Sequence, residues 1–430
     1  MKKLTLIAAT ALSLIACQND SLTDSSSSFE MQSASSEYVT AAGLPVTTVN
    51  ADITSNTTWS GVIELDGNIS VRDGAVLTIQ PGTFIKAKPS ANGEGRGVLI
   101  VTKTGTINAT GTESQPIIFT SYRLLDNNED TTALPGDFGG VVLLGDAPTN
   151  VPTTTVVEGL PQDAKFFFGG SNSGHSAGTM KYVRIEFAGY DFAAPNSGNE
   201  INSLTLAGVG SGTVLDHIQA SYGQDDSFEF FGGTVNATNL VSFAPEDDNF
   251  DFDNGYTGTI SCALSLADYT SSHTVSGTSP DSNGIELDNN AAGTATALLT
   301  HPVINNLTIV GASVGITGQG LAYENGIHIR RNGLLTLNDA VVTGYPTGIR
   351  VEGVGSALSS ASAYSSIFVH GFTTPVIGAG TAGITNIANG SPAATFSMSN
   401  PFFNGGWNVS PRNCGDFQGI WTKYDFSVVE

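Results

Sequence analysis

A right-handed parallel β-helix, an all-β solenoid, is the fold predicted by this 430-residue chain. Three observations carry that expectation. From about Ser55 onward, short alternating runs such as VLTIQPGTFIKA, VLIVTKTGTINATG, KYVRIEFAG and NNLTIVG follow one another with almost no helical periodicity. Gly, Asn and Asp punctuate these runs as turn residues do. The phrase DDSFEFFGG from Asp225 returns as DDNFDFDNG from Asp247, 22 residues on, and a repeated strand-and-turn unit of this length is a solenoid signature.

The N-terminus, MKKLTLIAATALSLIACQND, places Lys2 and Lys3 before an apolar run from Leu4 to Ala16. That run is too short to cross a bilayer as a helix and reads as a secretory signal. Leu14-Ile15-Ala16-Cys17, at its end, resembles the lipobox of bacterial lipoproteins. The resemblance implies cleavage before Cys17, acyl chains on its sulfur and new amino group, and a mature protein anchored to a membrane by lipid. Residues 1–17 are then the signal peptide, and 18–50 a Ser-rich tether containing SLTDSSSSFEMQSASSE, too polar to pack. The acidic stretch behind Cys17 is similar to the surface-export signal of Bacteroidota-type lipoproteins, which implies the outer membrane, facing the exterior.

Residues 51–430 are expected to form one β-helix domain, with 351–430 as less regular C-terminal coils whose aromatics cap the open end of the core. A formal charge of −23, from 39 acidic against 16 basic residues, repels phosphate backbones and excludes nucleic acid as a partner. In TISCALSLAD, alternation puts Cys262 on the side of Ile260 and Leu264, so a buried thiol is the default and a disulfide to Cys414 the alternative.

Strands of a parallel β-helix stack coil on coil about 4.8 Å apart, which makes the two Asp-Asp phrases one position seen in successive turns. NGIELDN at Asn283, NGIHIRR at Asn325 and TGIRVEG at Thr347 continue the series. Alternation then sends Phe228, Phe230, Phe250, Phe252, Ile285, Leu287, Ile327 and Ile329 inward. The outward column reads Glu229, Asp251, Glu286, His328, Arg350, with Asp253, Asp288, Arg330 and Glu352 beside it. Its spacings of 22, 35, 42 and 22 require loops between the middle coils, or an extra turn in the longest case.

The ordered phrases IQPGTFIKA, QPIIFTS, GDFGGVVLLGDAPTN, MKYVRIEFAG, SLTLAGVGSGTVLDHIQASYGQDDSFEFFGG, DDNFDFDNGYTG and IHIRRN resemble a family of Bacteroidota β-helix surface lipoproteins with the pectate-lyase-like fold. The likeness covers roughly residues 55 to 350 and implies a fold and a location rather than a reaction.

Two carboxylates about 4.8 Å apart repel by roughly 3 to 4 kcal/mol at an effective dielectric near 20. The stack of Asp225, Asp226 and Glu229 on Asp247, Asp248, Asp251 and Asp253 therefore needs raised pKa values, hydrogen-bond donors or a cation, for which Ca²⁺ suits clustered oxygens best. Three readings stand side by side: turn residues bonded to backbone amides, a Ca²⁺ site formed by those seven acids, and catalysis. The last draws on a similarity to polygalacturonases, in which aspartates on successive coils cleave a polysaccharide. It implies Asp247 or Asp248 as general acid and Asp225 or Asp226 as base, with His328 and Arg330 gripping a uronate, although this chain lacks the Gly-His-Gly phrase and has Arg in place of Lys. An inverting pair needs carboxyls about 6.5 to 9.5 Å apart. The bland alternative for His328 and Arg330 is an ion pair with Glu286 and Asp288. Phe166, Phe167 and Phe168 are a weaker candidate, as a sugar-stacking platform or as packing. Two functions follow: a surface protein that binds an extracellular polysaccharide, with Ca²⁺, or a polysaccharide-degrading enzyme.

Overall fold

In the computed structural model the chain winds as a right-handed parallel β-helix, and the pairing between coils is parallel throughout. The structure describes residues 36–89, 97–128, 131–189, 201–268, 281–311, 324–355, 358–389 and 411–415, together with 273, 275–276, 279–280, 417 and 421–423. Cys17 and the rest of the signal lie outside them.

Each coil has three faces. The first is built from Val62–Leu65, Phe84–Ala87, Ile117–Thr120 and the second halves of Gly178–Glu186, Val214–Ser221, Asn236–Phe243, Thr259–Leu266 and Val303–Val310. The second takes Val76–Ile79, Thr106–Thr110 and the first halves of those long strands. The third stacks β1 (Asn68–Val71), β2 (Val98–Val101), β3 (Gly140–Leu144), β4 (Leu204–Ala207), β5 (Phe228–Phe231), β6 (Phe250–Asp253), β7 (Ile285–Leu287), β8 (Asn325–Ile329) and the end of β9 (Thr336–Val351).

On the third face the inward residues are those that alternation selects. Phe228 stacks on Phe250 at 5.2 Å and Phe230 on Phe252 at 4.9 Å, with Ile285, Leu287, Ile327 and Ile329 fully buried in the same core. Burying each such side chain stabilises the fold by about 1.5–3 kcal/mol. Asp251 pairs directly with Glu286, and Glu286 with His328, so both long spacings are loop insertions and neither hides an extra turn. The NGI and TGI phrases also acquire a reason. A Cβ on Gly284 would lie 2.6 Å from the carbonyl oxygen of Gly326 on the next coil, so only glycine lets the backbones pass.

Alternation fails at the corner between the second and first faces. Tyr182, His217, Asn239, Cys262, Asn306, Asp339 and Ser366 stack there, all in the left-handed region with φ of 52 to 61°. One left-handed residue shifts the phase, so Ile260 and Ala263 both face the core while Cys262 and Leu264 face an outer apolar layer. Cys262 therefore departs from Ile260's side, and it is bonded to Cys414 rather than held as a buried thiol.

Both ends of the chain pack against that outer layer. The stretch expected as tether up to residue 50 is folded from Ser36: a helix, Ser36–Ala42, buries Tyr38 and Ala41, and Val46–Val49 pairs with Val62–Leu65. At the other end, Phe417 and Trp421 join the outer layer over the first face, with Trp421 edge-on to Tyr182 at 6.1 Å. These two aromatics thus cover the side of the solenoid rather than its open end. The segment ATFSMSNPFFNGGW lies outside the described residues. Among the described residues no helix is long and apolar enough to cross a membrane.

Candidate functional site

Where each coil enters the third face, one short polar side chain reaches to the next coil. Asn202 Oδ1 accepts from the Asp226 backbone N–H at 3.1 Å, and Asp226 Oδ1 accepts from that of Asp248 at 2.8 Å. Asp248 Oδ1 accepts from the Asn283 N–H, and Asn283 Oδ1 from that of Asn325 at 3.2 Å. A buried backbone N–H without an acceptor costs about 1–3 kcal/mol, so the ladder has a structural task. Asp226 and Asp248 accordingly do what turn aspartates do. The signal was present in the sequence as Asn or Asp three residues before the polar position of NSLTL, DSFEF, DNFDF, NGIEL and NGIHI.

Beside the ladder runs the acidic column. Glu229 pairs in register with Asp251, Asp251 with Glu286, Glu286 with His328 and His328 with Arg350. Asp225, Asp226 and Asp247 bring carboxylate oxygens within 4.8 Å of one another, and Asp226, Glu229 and Asp251 do the same. Asp247 and Asp251 are half-buried, yet Oδ1 of each is shut from solvent with no hydrogen-bond partner. Asp248 and Asp253 fall outside both groups: Asp248 serves the ladder, and Asp253 Oδ1 accepts from the Asn254 N–H at 2.6 Å.

The electrostatics follow from this crowding. Burial raises the carboxyls of Asp226, Glu229, Asp247, Asp248 and Asp251 well above the usual range, and their mutual repulsion adds to it. Burial also lifts Asp253 to about 6, and Asp288 to about 7 despite Arg331 beside it. None of Asp226, Glu229, Asp247, Asp248 and Asp251 forms an ion pair with a described residue. The nearest cation is committed elsewhere: Arg330 Nε donates to Asp288 at 3.0 and 3.2 Å, its Nη2 to Glu286, and Nη1 lies 3.8 Å from Asp281.

His328 and Arg330 are therefore held among acids of the neighbouring coils, Arg330 by the preceding one and His328 by the following one. His328 Nε2 is 3.0 Å from Glu352 Oε1, which itself accepts through Oε2 from Arg350 at 3.0 Å. His328 sits two rungs from Asp251, a separation of about 10 Å. Arg330 makes the ion pair with Glu286 and Asp288 that alternation allowed, whereas His328 takes Glu352. Asp225 and Asp247, with oxygens within 4.8 Å, stand closer than an inverting pair requires.

One participant was not legible in the sequence. The loop of residues 145–176 crosses the outside of β2–β4, where Val157, Phe166 and Phe168 cover Val98, Ile100, Val142, Leu144 and Ala207. Phe166 and Phe168 are thus packing rather than a sugar platform. At the border of the covered region Asn202 Nδ2 bridges two acids, donating to Glu158 at 3.2 Å and to Glu229 as well. The charge of Glu158 adds to burial in raising the Glu229 carboxyl. Nothing about VVEGLPQD marks it for this place, because its position depends on the path of a long loop.

The fold and the repeated outward column define a class, the pectate-lyase-like β-helix proteins. The pectate-lyase-like β-helix domain family matches residues 50–392, and the chain belongs to it. No curated protein matches the chain at a significant level. Among solved structures it is similar to tailspike protein 2 of Escherichia coli O157:H7 bacteriophage CAB120, at 12% identity and a TM-score of 0.38, over 78% of this chain and 42% of that one. It is also similar to the catalytic domain of a GH87 α-1,3-glucanase in complex with nigerose, at 12% identity and a TM-score of 0.28, over 80% of this chain and 63% of that one. The chain thus spans less than two thirds of either neighbour.

Proposed function

We propose that this protein is a lipid-anchored cell-surface β-helix that binds an extracellular polysaccharide through Ca²⁺ held on the acidic column of the third face. The observation that carries the reading is the pair of oxygen groups, Asp225/Asp226/Asp247 and Asp226/Glu229/Asp251, which share Asp226 and bring carboxylate oxygens of successive coils within 4.8 Å of one another. Ca²⁺ takes six to eight oxygens at about 2.3–2.6 Å and tolerates irregular geometry, so carboxylates from neighbouring coils suit it and leave positions for sugar hydroxyls or carboxylates. Two buried carboxylate oxygens without a donor, on Asp247 and Asp251, favour the same occupant. A divalent ion would also reconcile an acidic face with an acidic glycan.

Anchoring through Cys17 at the outer face of the outer membrane belongs to this reading. The Cys262–Cys414 disulfide supports export, because such bonds persist in oxidising compartments.

The test is retention of the protein on a panel of immobilised polysaccharides, with Ca²⁺ and with chelator. Ca²⁺-dependent retention that Asp251→Asn abolishes is the expected result, and retention indifferent to chelator would overturn the reading. Hydrolysis is the second reading, favoured by Glu229, whose carboxyl burial and the nearby Glu158 raise well above the usual range, in register with Asp251 of the next coil. Release of reducing ends from a retained polysaccharide, lost in Glu229→Gln, distinguishes it from binding alone.

A further inference from the structure

On the outside of the first face, the helix Ser36–Ala42 and residues near Lys423 meet over one buried arginine. Arg184 is fully buried, and its Nε donates to Glu186 at 2.8 Å while Nη2 donates to Glu37 of the N-terminal helix. Tyr38 Oη of that helix donates to Glu186 at 2.7 Å. Lys423, near the other terminus, puts Nζ 2.6 Å from the same Glu37 and 4.6 Å over the Tyr38 ring. Its backbone N–H donates to Gln219 Oε1 at 2.7 Å, and Gln219 Nε2 donates back to the Lys423 carbonyl. Upstream of it, Trp421 meets His217 edge-on at 5.2 Å, and Cys414 is bonded to Cys262.

We propose that the C-terminal segment is a disulfide-latched clasp that holds the N-terminal helix on the outer face, so that opening Cys262–Cys414 releases the helix while the coils stay wound. A helix of seven residues does not persist in water unaided, so Ser36–Ala42 depends on what it docks against. From the solenoid side it meets Glu186, Arg184 and Phe84, the Leu124 and Leu125 side chains and Asn127, whose Nδ2 donates to the Ala42 carbonyl at 3.0 Å, and from outside it Lys423 covers both Glu37 and Tyr38. The clasp itself is fastened to the solenoid by the disulfide, the Phe417 and Trp421 rings and the paired Gln219 amide. The coil-to-coil strand pairing, by contrast, involves neither the helix nor the described residues between 411 and 423. Because the helix is where the body begins after the tether, the latch sets how far the solenoid stands from its attachment.

Opening is a thiol–disulfide exchange: a dithiol reductant gives two electrons and two protons to the Cys262–Cys414 bond, leaving two thiols, and closes to its own disulfide. The experiment is hydrogen exchange on the full chain under native conditions, before and after a dithiol has exposed two additional titratable thiols. Amides of Glu37–Ala42 are expected to exchange about tenfold faster or more, while β5 and β6 keep their protection. In the oxidised protein Lys423→Met is expected to speed the same amides without altering the thiol count. Two new thiols with unchanged exchange in the helix, or a Lys423→Met helix as protected as the parent's, would overturn the proposal.

Discussion

Asp226 Oδ1 accepts the backbone N–H of Asp248 at 2.8 Å, so an acidic side chain on one coil fixes the path of the next. The same residue also stands in both oxygen groups of the acidic column. The ladder explains why a short polar residue recurs at this position, and Asn at 202 and 283 shows that the task needs an oxygen but no charge. The charge at 226 and 248 is surplus to the ladder, which separates structural from ionic roles by substitution.

Asp248→Asn keeps an oxygen for the Asn283 N–H and removes a crowded negative charge. Its melting temperature in chelator is expected to equal or exceed the parent's. Asp248→Ala leaves that N–H without an acceptor and is expected to lose about 1–3 kcal/mol in urea unfolding. Equal losses in the two variants would show that charge, not the ladder, is what Asp248 contributes.

The raised carboxyls make stability fall with pH. Asp253 at about 6 and Asp288 at about 7 bind protons in the folded chain that the unfolded chain, with a value of 3.8, has given up. Their contribution is therefore complete below about pH 4 and is lost as pH rises through about 7. In chelator the parent should melt lower at pH 8 than at pH 5, and Asp253→Asn should show a shallower decline. A parent curve that climbs over this window, or an Asp253→Asn curve as steep as the parent's, contradicts the assignment.

Arg330 offsets three acids at once, Asp281, Glu286 and Asp288. Arg330→Gln is expected to destabilise by about 3 kcal/mol at pH 8, because partly buried carboxylates lose their partner, and by clearly less at pH 5, where Asp288, raised to about 7, keeps its proton. Chemical denaturation at the two pH values reads the difference, and a loss independent of pH would point to packing of the side chain instead.

Phe230 packs against both the Phe252 and Tyr256 rings, at 4.9 and 4.7 Å, in a three-ring cluster whose third side is 5.5 Å. Phe230→Ala is expected to cost about 3–5 kcal/mol through the lost burial and the cavity left behind. Phe230→Leu should cost markedly less. A small effect of the alanine in thermal unfolding would mean that the stack contributes little to the core.

Strand identity, the inward aromatics and the outward order from Glu229 to Arg350 were legible because strands alternate with period two and neighbouring coils repeat the same phrase. Legibility ended where that period breaks. The left-handed corner at Cys262 shifts the phase by one residue, which hid the true side of the thiol and left its bond to Cys414 as the second of two readings. The place of Glu158 depends on a long loop, and that of Tyr38 on docking against Glu186 from far along the chain, so neither left a local pattern. The roles of Asp226 and Asp248 had been open between turn and site because one carboxylate, with two oxygens, can serve both.

The most direct measurement is the melting temperature with Ca²⁺ and with chelator for the parent, Asp251→Asn and Asp248→Asn. A ligand that binds only the folded state at a hundredfold excess over its Kd adds about 2.7 kcal/mol. The account predicts that Ca²⁺ raises the parent and Asp248→Asn by similar amounts and leaves Asp251→Asn unmoved. No response to Ca²⁺ in the parent, or an undiminished one in Asp251→Asn, would contradict a cation held by the acidic column.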